Sequence, residues 1–222
     1  PPGLDYEVPY DTTLFIDASV TTVEHTFIEA FLIVAAIVLI FLQNWRTTAI
    51  ALSVVPVSVV GTFAGLYLFG FSINLLSLFA LVLAIGIVVD DAILVVENVE
   101  RLLEEDPNIK ILAASSRAMK EVGGPVIATS LIMAAVFVPV AFLGGFTGQI
   151  YQQFALTIAV SVAISAVVAL TFTPAMCAIF VRHKSRHPRS KFVQALTAPL
   201  RVFDRAFAAI TRAYLWLVAL LV

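Results

Sequence analysis

Charge is scarce in this chain, and its distribution is more telling than its amount. Of 222 residues, 13% are Asp, Glu, Lys or Arg and 61% are apolar. A soluble domain carries about 25% charged and about 45–50% apolar residues, so a water-exposed globule is excluded. A single cysteine, Cys177, rules out a disulfide within the chain and reads as a small apolar filler. The three histidines, His25, His183 and His187, lack metal-ligand spacing. No glycine-rich phosphate loop is present, so nothing points to ATP as an energy source. Neither a cofactor nor a metal is expected.

What the chain does have is long apolar runs. Five reach the roughly twenty residues that cross a bilayer: 23–42, 47–69, 72–99, 125–143 and 150–181. Pro125 suits a helix start, where a missing N–H costs nothing. Pro56, Pro139 and Pro174 fall inside or near the ends of spans, where neighbouring helices can compensate. All thirteen Lys and Arg residues lie in 43–46, 101–124 and 182–212. The alternate connections, 70–71 and 144–149, hold none, and neither does 1–22. Positive charge marks the cytoplasmic side, so the chain is expected to start outside, cross five times and arrive inside.

The remaining segments differ in character. Residues 1–22 mix prolines, acids and β-formers and read as the last strand and connection of a water-exposed domain. Two inner loops read as helical. The first is 108–121. In the second, 191–211, Phe192, Leu196, Leu200, Phe203, Phe207 and Ile210 recur at steps of three and four. That pattern fits an amphipathic helix lying along the inner membrane surface, or a solvated connector packed on its own protein. The basic run 182–191 fits topology and contact with anionic membrane lipid rather than nucleic acid. The run 213–222 would rise about 15 Å as a helix, half of a bilayer core of about 30 Å, and reads as the start of a further span. With no initiator Met at residue 1, the expectation is a segment of a longer protein.

Within the third run sits the anomaly. Asp90 and Asp91 interrupt LFALVLAIGIVVDDAILVV, where 75–89 carries no charge. A charged Asp at the centre of a membrane helix costs roughly 2.5 to 3.5 kcal/mol. Both should therefore face protein or a water-filled cavity, and as adjacent carboxyls they would titrate as a coupled unit. Proton transfer is the most direct use; the membrane potential contributes about 2.3 kcal/mol per charge per 100 mV. A structural hydrogen-bonded pair and a helix end drawn too long are the plain alternatives. Intramembrane aspartyl proteolysis is excluded, because it needs two carboxylates converging from facing helices. No Lys or Arg lies in any span, and an ionised pair needs a countercharge, so that partner is expected from sequence outside this chain.

Other polar positions are weaker. Thr157, Ser161 and Ser165 form a stripe at four-residue spacing that serves close helix packing or borders a proton path. Gly61 and Gly65 make a small-residue packing face. Glu29 either reaches the interface or gates. Glu97 and Asn98, each seven residues past an aspartate, extend a hydrated path or cap the span. Trp45 and Tyr151 read as interfacial belt residues.

FLQNWRTTAI, VPVSVVGTFA, FGFSINLLSLFALVLAIGIVVDDAILVVENVER and FVPVAFLGGFTGQIYQQFALTIAVSVAISAVVALTFTPAMCA arrive in that order over 23–178. Together they resemble the RND (resistance-nodulation-division) transporters, and DD followed by ENVER is most similar to the hydrophobe/amphiphile multidrug branch, the AcrB type. The heavy-metal branch keeps the first acid with alanine after it, where this chain has Asp91. The resemblance implies an all-α polytopic membrane bundle of about five complete spans plus the start of another, with an in-plane cytoplasmic helix. The spans 23–181 would be the family's second to sixth, 182–212 the cytoplasmic loop, and 1–22 the end of a periplasmic porter domain. Asp90 and Asp91 match the family's proton-relay aspartates, whose lysine partner comes from the absent second half. The resemblance further implies a homotrimer in the bacterial inner membrane, exporting hydrophobic or amphiphilic small molecules with a periplasmic adaptor and an outer-membrane channel. A protein-export or lipid-transport relative and a non-transporting sterol-sensing type are the other readings.

Overall fold

The computed structural model describes residues 13–181, the side chains of Phe146 and Gln149 excepted, and Thr211, Arg212, Tyr214, Leu215 and Val218. Residues 13–181 form five helices: α1 (Thr13–Leu42), α2 (Trp45–Leu68), α3 (Leu75–Glu105), α4 (Ile111–Val140) and α5 (Gly145–Phe180). Each is long and apolar enough to cross a membrane, and the fold is an all-α polytopic bundle. The five described residues after Arg182 belong to a second unit and are helical. The expected in-plane helix at 191–211 and most of 213–222 lie outside the described residues.

Short connections force neighbouring helices to run antiparallel. Gln43 takes a left-handed φ of 49° between α1 and α2, and Gly70 turns the chain between α2 and α3 at φ 73°, a conformation that costs glycine nothing. Asn44 caps α2, its side chain accepting from the Arg46 N–H at 3.2 Å. Asn74 opens α3 with a capping box: its Oδ1 accepts from the Ser77 N–H at 2.9 Å, and Ser77 Oγ accepts from the Asn74 N–H at 2.9 Å. The single bond at Asn44 and the reciprocal pair at Asn74 satisfy amides that a helix start otherwise leaves unpaired.

α3 and α5 form the centre. α5 packs against α2, α3 and α4, while α1 lies against α2 and α3. α2 meets α5 on its glycine face, where a Cβ on Gly61 would come 2.8 Å from Ile164 Cγ2 and one on Gly65 2.6 Å from Val160 Cγ1. Both distances are too short for real atoms, so the two glycines set how closely the helices approach, the packing role expected of them.

Two boundaries differ from expectation. The first helix begins at Thr13 rather than 23, so 13–22 is helix and not strand; residues 1–12 lie outside the described residues. The β-formers there misled because local bonds accommodate them: Ser19, Thr21, Thr22 and Thr26 each donate to the carbonyl four residues back at 2.7–2.9 Å. Pro125 is not a helix start but lies inside α4, which absorbs the expected loop helix. The reason is packing. Ala114, Ala118, Val122, Val126 and Ser130 are buried in an unbroken four-residue rhythm across the proline. One missing backbone bond is outweighed by a face that stays in register.

Candidate functional site

The apolar environment that makes two aspartates costly also fixes where they can point. Adjacent residues on a helix diverge by about 100°, and the two carboxyls part accordingly. Asp91 is half-buried and turns toward α5, where Ser165 Oγ donates to its Oδ2 at 3.0 Å. Asp90 is exposed and opens into a cleft of about 570 Å³ between α3 and α4. Asp90 and Asp91 both line that cleft, with Glu97 toward the C-terminal end of α3 and Thr129 and Ser130 across from them on α4. Among the described residues, no Lys or Arg lines it.

Ser165 is fully buried and has two acceptors within reach: the Asp91 carboxylate, and the Val88 carbonyl at 3.2 Å. Its one proton can serve only one at a time. The hydroxyl can therefore bond Asp91 or turn to the backbone. Spacing alone had placed Ser165 in a stripe that serves packing or borders a proton path; that it touches Asp91 depends on the rotation of α5 against α3.

Other expected positions sort themselves by contact. Thr157 and Ser161 are buried, with Ser161 accepting from Thr62 Oγ1 at 3.0 Å. Glu97 lies on the cleft, but Asn98 does not; it accepts from Arg101 at 2.9 Å. Arg101 also pairs with Glu105 and with Glu121 of α4, and Arg117 joins Glu121 at 3.2 Å. Glu29 is exposed on α1. Trp45 and Tyr151 are exposed near helix starts, and the Arg46 guanidinium lies 5.5 Å from the Trp45 ring centre. Two residues that the sequence reading missed are Thr129 and Ser130; both bond the preceding turn of α4, and only the α3–α4 packing sets them beside the acids. At the opposite end of the bundle, the Asn74 side-chain amide donates to Gln153 of α5.

The sequence profile of the AcrB/AcrD/AcrF family matches residues 1–222. The chain belongs to the AcrB/AcrD/AcrF family, within the RND transporters. Among AcrB/AcrD/AcrF relatives it is 45% identical over 208 residues to the solvent-resistant pump membrane transporter SrpB of Pseudomonas putida, covering 92% of this chain and 19% of SrpB. It is 46% identical over 193 residues to the toluene efflux pump membrane transporter TtgB of Pseudomonas putida, covering 86% and 18%. It is 46% identical over 182 residues to the multidrug export protein AcrF of Escherichia coli, covering 82% and 18%. The chain thus spans about a fifth of the length of the curated relatives it matches.

Proposed function

We propose that this chain is part of the proton-translocating membrane domain of a pump that exports drugs and amphiphilic compounds using the proton-motive force. Family membership supports export, and the relatives' printed names cover solvents, toluene and multiple drugs. The observation that carries the proton role is that Asp90 and Asp91 line one cleft, together with Glu97, Thr129 and Ser130, partway along an apolar helix. Carboxyls at that depth are retained for function rather than stability.

In this reading the pair takes up protons from the outer side and releases them inward past Glu97. Asp91 acts through Ser165. As a carboxylate it holds the Ser165 O–H in a charge-assisted bond; once protonated it is a weaker acceptor, and Ser165 turns to the Val88 carbonyl. That exchange alters the α3–α5 contact, the most extensive in the bundle. A countercharge from the remaining four-fifths of the protein would enter the cleft beside Asp90. The complete protein would be a homotrimer in the bacterial inner membrane. Its basic loops would face the cytoplasm, and it would work with a periplasmic adaptor and an outer-membrane channel.

The test is Asp90→Asn and Asp91→Asn in the full-length protein. Each should abolish drug efflux while membrane expression stays at the parental level. Normal efflux by both variants removes the proton role.

A further inference from the structure

A small internal cavity of about 10 Å³ lies between α2, α3 and α5. That is about the room one water needs. Its apolar wall includes Val55, Ala84 and Val88, and its polar wall is Ser58, Thr62 and Ser161. These three are at most 1% exposed. Their hydrogen bonding is unequal. Ser161 donates to the Thr157 carbonyl at 2.8 Å, and Thr62 reaches the Ser58 carbonyl at 2.7 Å or Ser161 Oγ at 3.0 Å. Ser58 Oγ has no hydrogen-bond partner among the described residues.

A mid-helix serine ordinarily bonds back to the preceding turn. Thr62, Ser161 and Thr157 do so, whereas Ser58 faces the cavity. The hydroxyls of Thr48 and Ser115 are also without partners among the described residues, but neither lines this space. Burial, an unpartnered hydroxyl and a water-sized gap thus coincide at one point. The polar wall has the complement a water requires: Ser58 donates, while Ser161 and Thr62 keep lone pairs that accept. Three bonds is the usual number for a buried water.

We propose that Ser58, Thr62 and Ser161 bind a single buried water, and that this water is the station next to Asp91 on the outer side of the proton path. The second half of the proposal rests on the proton role argued above. Ser161 lies one turn, about 6 Å along α5, from Ser165. Val88 lines the cavity, and its carbonyl is the second acceptor of Ser165, so cavity and carboxylate share a wall. Outward, Thr157 bonds the Gln153 carbonyl at 2.7 Å, and the Gln153 side chain accepts from Asn74 at the start of α3. Polar groups therefore recur each turn from the end of the bundle to Asp91, inside the protein and away from the open cleft. A proton passed to the water is matched by one leaving it to Ser161. The Ser161 and Ser165 hydroxyls each take up one proton and give one up, so they end unchanged in charge. The net change is one proton gained by the Asp91 carboxylate.

The full-length transporter carrying Ser58→Val separates this from plain packing, because valine fills the cavity and removes the hydroxyl. A high-resolution cryo-EM map of the parent should show density within hydrogen-bond distance of Ser58 Oγ, and the variant should lack it. Proton-coupled flux in proteoliposomes should fall about tenfold, the scale of one lost hydrogen bond, with no fall in thermal midpoint. Ser58→Ala, which leaves the space but removes the donor, should lie between the two. A map that resolves buried waters elsewhere but none here overturns the site. Parental flux in Ser58→Val overturns the relay station. The separate failure, unchanged flux in both Asp90→Asn and Asp91→Asn, removes the underlying proton role without touching the density result.

Discussion

The tight approach of α2 to α5 makes a quantitative prediction. A Cβ at Gly65 would sit 2.6 Å from Val160 Cγ1, whereas unstrained carbon contacts begin near 3.5 Å, roughly the optimal separation of two carbons. Gly65→Ala must therefore push α5 or the Val160 side chain by nearly 1 Å, and a β-branched side chain has little freedom to yield. Overpacking of this kind costs about 1–3 kcal/mol. Against it stands the gain from replacing a helical glycine, about 0.5–1 kcal/mol. The net expectation is a loss of about 1–2 kcal/mol. Gly86→Ala is the control, because no atom lies within 4 Å of a Cβ there; it should show the gain alone. The assay is equilibrium unfolding of the full-length protein in detergent. Val160→Ala added to Gly65→Ala should relieve the clash, giving a favourable coupling of about 1 kcal/mol or more in a double-mutant cycle. Gly65→Ala as stable as Gly86→Ala, or a coupling near zero, would refute the argument that these glycines set the α2–α5 distance.

Further outcomes follow from single contacts. Ser165→Ala removes a hydrogen bond to a carboxylate, worth about 1.5–3 kcal/mol, and should slow proton-coupled drug transport at least tenfold; Ser165→Thr, which keeps the hydroxyl, should recover part of that loss. Asn74→Ala deletes the capping box of α3 and should destabilise by about 1 kcal/mol in thermal unfolding. Arg101→Gln breaks exposed ion pairs with Glu105 and Glu121 and should leave the unfolding midpoint unchanged, since surface pairs contribute little. Ile132→Trp on the α4 wall of the cleft should reduce efflux while leaving membrane expression intact, if that cleft is the inner proton route.

Much of the bundle was legible because a bilayer permits few solutions. Backbone groups in hydrocarbon must pair internally, so an apolar run of sufficient length becomes a helix whatever its local propensity. Five such runs became the five helices, and adjacent carboxyls in the third marked a candidate site by their cost alone. Local chemistry was less legible. The hydroxyls of Ser19, Thr21, Thr22 and Thr26 bond back along α1 and so are satisfied within the helix, an accommodation that β-propensity could not foresee. Pro125 read as a boundary because a ring without an N–H favours one; the buried rhythm from Ala114 to Ser130 overruled it.

The sequence by itself determined that this is a membrane bundle, that Asp90 and Asp91 lie at its apolar depth, and that no basic residue in its spans answers them. Those conclusions need only composition, run length and the cost of burying charge. The different surroundings of the two acids belong to the tertiary structure. Side-chain direction depends on how far each helix is rotated against its neighbours, a quantity set by packing such as the Gly61 and Gly65 contacts rather than by any local pattern. Rotation of α5 put Ser165 on Asp91, rotation of α4 put Thr129 and Ser130 across from Asp90, and the approach of α2 left Ser58 facing a space the size of one water.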